Sequence, residues 1–100
     1  MERIVKDGQT VTFMDLKRDD VFSIWEIDEE YPEEPELIGN WQVWKPVTEH
    51  DNKMIVLPLW GGMQRNDKLV LIGWTIKDNE IVGYWQEKHL KMRDWDVHIS

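Results

Sequence analysis

Leu69-Val70-Leu71-Ile72-Gly73-Trp74-Thr75-Ile76, followed by Lys77-Asp78-Asn79-Glu80 and then Ile81-Val82-Gly83-Tyr84-Trp85-Gln86, holds the clearest strand pairing in the chain. Two runs rich in β-branched and aromatic residues flank a short polar segment, and Asp78-Asn79 at its centre suits a tight turn, so the stretch reads as a β-hairpin. Gly73 and Gly83 inside the strands predict bulges or sharp bends, the devices by which a small sheet curls closed.

The flanking segments repeat this pattern of β-rich runs and polar turns. Lys53 to Trp60 is a β-rich run in which Pro58 predicts an edge strand or a bulge, and Gly61-Gly62 ends it as a turn that fits no phosphate-binding fingerprint. Glu49 to Asn52 is a turn. Before it, Asn40 to Val47 reads as a strand with Trp41, Val43 and Val47 on one face and Gln42 and Trp44 on the other. Val21 to Ile27 alternates Val21, Ser23, Trp25 and Ile27 against Phe22 and Ile24, and with both faces largely apolar it is expected to be central. Ile4 to Phe13 forms a hairpin about Asp7-Gly8, and Met14 to Asp20 forms a loop or one helical turn. On the C-terminal side, Lys88 to Arg93 is the only stretch suited to a helical turn. Trp95, Val97 and Ile99, alternating with Asp94, Asp96 and His98, read as a closing strand. Six or seven short strands without a long helical pattern predict one all-β domain over residues 1–100, either a small SH3-like barrel or two packed, curved antiparallel sheets.

One segment stands outside this pattern. Glu26-Ile27-Asp28-Glu29-Glu30-Tyr31-Pro32-Glu33-Glu34-Pro35-Glu36 carries seven carboxylates and no basic residue. The chain has 20 acidic and 12 basic side chains, so without these seven it would hold 13 against 12; nearly all of the net charge of −8 is local. Pro32 and Pro35 remove backbone donors and restrict the residues before them, which makes 26–36 a loop.

Composition excludes several function classes. The sequence pI near 4.7 opposes direct binding to nucleic acid or to an anionic membrane and favours basic partners. The absence of cysteine removes disulfides and thiolate metal sites, and no apolar h-region follows Met1, so the expectation is a cytoplasmic protein without signal peptide or membrane span. Seven tryptophans, at 25, 41, 44, 60, 74, 85 and 95, exceed what a small core encloses. Four or five are expected in the core with the rest at its rim; the alternative is a platform of two or three exposed rings.

No catalytic or metal motif is present, and no cofactor is expected. The acidic run lacks the Asp-x-Asx-x-Asx-Gly spacing of a Ca²⁺ loop. Asp94, Asp96, His98 and His89 have no His-x-x-x-His or comparable ligand spacing, so His98 reads as a polar residue near the chain end and His50 as a solvated turn residue. Lys88, His89, Lys91 and Arg93 form a basic cluster that would pair with the acidic loop of the same molecule or of a second copy, giving a homodimer, or would simply be scattered surface charge.

Phe13-Met14-Asp15-Leu16-Lys17-Arg18-Asp19-Asp20-Val21-Phe22 resembles a segment common in small SH3-like β-barrels, among them small phage proteins, in which an Asp before an apolar strand anchors a bend. Asp19 stands where that pattern has Gly at a left-handed backbone position. A second likeness is to the peptide-binding SH3 domain, which implies a groove of Glu29, Glu30, Glu33 and Glu34 beside Trp41 and Trp44, with Tyr84 lining it; the Ala-Leu-Tyr-Asp-Tyr opening of that family is absent.

The resulting expectation is a non-enzymatic binding module. Glu26, Asp28, Glu29, Glu30, Tyr31, Glu33, Glu34 and Glu36 would present spaced negative charge to a basic protein surface, as the phosphates of a nucleic acid would, with Trp41 and Trp44 as apolar anchors. A phage-encoded inhibitor of a nucleic-acid-binding host protein fits that description. The alternatives are an aromatic platform for a proline-rich peptide or a glycan, a structural or oligomeric phage assembly component, and a loop that serves solubility alone.

Overall fold

A computed structural model of the protein describes residues 1–59 and 68–91, with the backbone alone at 68–69 and 88–91. The described chain is all-β. Its seven strands are β1 (Glu2–Lys6), β2 (Gln9–Val11), β3 (Val21–Glu26), β4 (Glu36–Lys45), β5 (Lys53–Leu59), β6 (Lys68–Lys77) and β7 (Glu80–Lys91). They form one antiparallel sheet in the order β2-β1-β3-β4-β5-β6-β7, so every neighbour except β1–β3 is consecutive in sequence.

Turn chemistry sets both terminal hairpins. Asp7 and Gly8 have φ of 51° and 78°, and Asp78 and Asn79 have φ of 53° and 61°, the left-handed pairs that a two-residue hairpin requires. After β2 the chain leaves the sheet. Asp15 accepts hydrogen bonds from the Thr12 N–H at 2.9 Å and the Thr12 hydroxyl at 3.0 Å, capping a 3-10 turn over Phe13–Asp15. These contacts hold the Asp15 carboxyl below its ordinary pKa, the Thr12 N–H contributing most.

The bend before β3 is fastened to β4: the Asp19 N–H donates to the Val43 carbonyl and the Val43 N–H to the Asp20 carbonyl, both at 2.8 Å. Asp19 has φ of 74°, so the left-handed position is present although Asp replaces Gly. The Asp20 carboxylate takes the Lys17 N–H at 2.8 Å and pairs with Lys6 Nζ at 3.0 Å. Partial burial pushes its pKa up, but the Lys17 N–H and the Lys6 ammonium outweigh that, and the net shift is downward.

The core lies on one face of the sheet. Phe22 and Ile24 of β3, Val43 of β4, Met54 and Val56 of β5, and Trp74 and Ile76 of β6 pack with Ile4, Phe13 and Leu16. Fully burying each such side chain contributes about 1.5–3 kcal/mol. Four rings form the centre: Trp41 stacks on Phe22 at 5.9 Å, and Trp74 meets Trp41 edge-on at 5.1 Å and both Phe13 and Phe22 at 6.2 Å. The sheet curls enough for its ends to meet this core, because Ile4 of β1 and Ile81 of β7 both join it, and the Phe13 N–H donates to Asn79 Oδ1 in the β6–β7 turn at 2.8 Å. A second cluster, Leu57 and Leu71 with Trp44, Ile55 and Leu59, occupies the opposite face.

Several expectations need correction. β4 starts at Glu36, four residues before Asn40, because Glu36 and Leu37 pair with Glu26 and Trp25; only the segment between Glu26 and Glu36 is loop. β5 is an inner strand despite Pro58. Its ladder to β6 ends at the Val56–Ile72 pair, so Pro58 lies beyond the last β6 partner and, among the described residues, pairs only with Trp41 on β4. Lys88 to Lys91 makes no helical turn but continues β7 against β6. The β6–β7 pair is bulged, with register shifts at Leu71/Ile72 and Thr75/Ile76, but Gly73 and Gly83 themselves are paired, with Trp85 and Thr75. Gly61-Gly62, the 94–99 strand, Trp60 and Trp95 lie outside the described residues. No helix among the described residues is long and apolar enough to cross a membrane.

Candidate functional site

The acidic loop is the connection between β3 and β4, and its own side chains shape it. Asp28 Oδ1 accepts the Glu30 N–H at 2.9 Å, and the Tyr31 N–H donates to the Asp28 carbonyl at 3.1 Å, which makes an Asx-type turn. A second turn follows at once, with the Glu34 N–H on the Tyr31 carbonyl at 3.1 Å. Two consecutive turns, with Pro32 inside the second and Pro35 just after it, give the loop a compact form in which residues 28–36 are all exposed.

Glu26, Asp28, Glu29, Glu30, Glu34 and Glu36 line a shallow recess of about 560 Å³ together with Met1, Ile27 and Tyr31; Glu33 lies outside it. The Met1 ammonium bonds Glu26 Oε1 at 2.7 Å and the Ile27 carbonyl at 2.9 Å. Its pKa is raised, first by the Glu26 hydrogen bond and further by the charges of Glu26, Glu29 and Glu2, with partial desolvation opposing. Lys6–Asp20 and Lys45–Asp51 are ion pairs elsewhere, and among the described side chains no Lys or Arg is ion-paired to the loop. No three described acidic or histidine side chains are placed to hold a metal ion.

The expected anchors are not beside these acids. Trp41 is a core ring, stacked on Phe22 and covering Gly39, where an added Cβ would lie 2.8 Å from the ring. Trp44 sits at a β4 bulge, between the Val43–Val56 and Lys45–Ile55 pairs, and packs on Leu57 and Leu71 across the sheet from Trp41. Of the five described tryptophans, Trp74 is buried and Trp25, Trp41, Trp44 and Trp85 are half-buried, so none is an exposed platform ring. Tyr84 is 83% exposed, but on β7. The apolar groups that do flank the loop are Tyr31, Leu37 and Ile38, at 56%, 44% and 50% exposure. Ile38 is the extra residue at the register shift between the Ile24–Gly39 and Trp25–Leu37 pairs. Sequence reasoning missed Leu37 and Ile38 because a bulge breaks the alternation there. The basic cluster and the Asp94, Asp96, His98 and His89 set lie outside the described side chains.

In comparisons with protein families, curated proteins and solved structures, nothing matched the chain.

Proposed function

We propose that the protein is a non-enzymatic binding module that docks its β3–β4 loop on a basic surface of another protein, of the kind that otherwise holds nucleic acid, and so acts as an inhibitor by occupation. One observation carries the reading: a turn-stabilised loop displays the acidic excess of the chain, and among the described side chains no Lys or Arg is ion-paired to it. Preformed turns and two prolines lower the entropy lost on docking. The carboxylates would steer encounter and set specificity, while Tyr31, Leu37 and Ile38 supply the apolar contact that acids alone lack. This replaces Trp41 and Trp44 as anchors.

The test is a charge-reversal series, Glu29→Lys, Glu30→Lys, Glu33→Lys and Glu34→Lys, singly and combined, read as affinity for a panel of basic nucleic-acid-binding proteins across salt concentrations with duplex DNA as competitor. The proposal expects affinity that falls as salt rises, displacement by DNA, and a loss of at least about tenfold in the combined variant. Unchanged affinity without a salt slope would reject it.

A further inference from the structure

A second recess, of about 750 Å³, lies between the start of β1 and the start of β7, within the range of about 300–1,000 Å³ that ligand sites occupy. We propose that this seam accepts an extended basic segment of another polypeptide, added as a strand between β1 and β7. The inference stands apart from the loop reading, since it would hold even if the loop served only solubility.

Backbone geometry is the first argument. Met1 and Ile27 exchange both hydrogen bonds, at 2.7 and 2.9 Å, so in an antiparallel ladder the next residue, Glu2, directs its N–H and C=O away from β3. No described strand meets them. The β1–β2 ladder stops at the Ile4–Val11 pair, because Asp15 captures the Thr12 N–H and turns the chain out of the sheet. On the other wall, Lys77 pairs with Glu80 across the turn and Ile76 pairs with Ile81. The Ile76 N–H donates to the Asn52 carbonyl at 2.8 Å, away from β7, so Ile76–Ile81 is a non-hydrogen-bonded pair and Ile81 directs its N–H and C=O outward. Among the described residues no ladder joins β7 to β1 or β2. The Phe13–Asn79 bond brings the two walls together without pairing them.

Side-chain chemistry specifies the occupant. Ile4, Phe13 and Ile81 give the seam an apolar floor; Glu2, on the same face of β1 as Ile4, stands at the end of that floor beside Glu26 and the Met1 ammonium bound to it, Asp78 and Glu80 stand on the β6–β7 side, and no basic side chain is among the lining residues. A strand alternates its side chains between two faces. A segment alternating apolar and basic residues therefore sets its apolar face on the floor and turns its basic face toward Glu80 and Asp78, with Glu2 within reach at the end of the floor, which is the strand-addition mode of peptide recognition.

The probe is an end-capped hexapeptide of alternating Lys and Val, titrated into the full chain with amide chemical shifts as readout. The comparison peptides are the same sequence N-methylated at alternate residues and a Glu-Val counterpart. The proposal expects shifts centred on Glu2 and Ile81, at least about tenfold weaker binding of the N-methylated peptide, and no binding of the Glu-Val peptide. The Glu2→Lys, Glu80→Lys double variant should lose about tenfold, while the combined loop reversal keeps the ratio between plain and N-methylated peptides. Equal binding of the N-methylated peptide, shifts confined to 28–36, or no binding of the Lys-Val peptide would each overturn the proposal without touching the loop reading, which is judged on whole basic proteins.

Discussion

Gly73 of β6 faces Trp85 of β7, and a Cβ built on Gly73 would lie 2.1 Å from Cε2 and 2.2 Å from Cζ2 of the indole. Ordinary carbon contact is about 3.5–4.0 Å, so Gly73→Ala must displace the ring by roughly 1.5 Å, and a gap of that size forfeits most of the contact the ring makes. Overpacking of this kind costs about 1–3 kcal/mol. Gly73 does not have a positive φ in the left-handed range, so the backbone itself accepts Ala. With the ring removed by Trp85→Ala, the same Gly73→Ala substitution should stabilise by about 0.4–1 kcal/mol, because it restricts the unfolded chain. The sign therefore reverses between backgrounds, with a coupling of roughly 1.5–4 kcal/mol. Urea unfolding of the four members of the cycle measures it. A neutral Gly73→Ala in the parent, or an equal loss in both backgrounds, would refute the packing argument.

Three further outcomes follow from particular contacts. Asn79→Gly keeps a turn that Asp78-Gly would make well, but it leaves the part-buried Phe13 N–H without its partner; thermal melts should show a loss of about 1–2 kcal/mol. Asp19→Ala should cost about 1–2 kcal/mol at a left-handed position, whereas Asp19→Gly should cost less, and equal effects in denaturant titrations would refute a conformational origin. Asp20 has a depressed carboxyl pKa, so the stability it contributes is present above the unfolded value near 4 and is lost as pH falls through the folded one; Asp20→Asn should flatten the acid limb of the stability curve below about pH 4, and an unchanged limb would count against the Lys6 and Lys17 contacts.

The parts of the fold readable from sequence are those fixed locally. Asp7-Gly8 and Asp78-Asn79 carry their own turn chemistry, and alternation in β3 separates Phe22 and Ile24 from Val21, Ser23 and Trp25, although with both sets largely apolar it does not say which one is buried. What escaped depends on pairing. Pro58 reads as an edge marker until the β6 ladder is seen to end at Val56. Lys88 to Lys91 has no strand alternation of its own and is extended because β6 is long enough to pair with it. Alternation did place Trp41 and Trp44 on opposite faces; it could not reveal that Leu57 and Leu71 give the second face an apolar cluster, which leaves Trp44 half-buried rather than free. The acidic loop was legible as charge and as a chain reversal, and its apolar flank was not.

The loop is also joined electrostatically to the rest of the fold. Glu26 and Glu36 face each other directly across β3 and β4, a like-charge pair that disfavours closure of the loop base. The cation that relieves it among the described residues is the Met1 ammonium on Glu26, which at the same time fastens the edge of β1 to the end of β3. Met1 and Glu26 form part of the wall of both recesses. A cation entering either recess would therefore meet a Glu26 carboxylate that both recesses share and that the Met1 ammonium already holds.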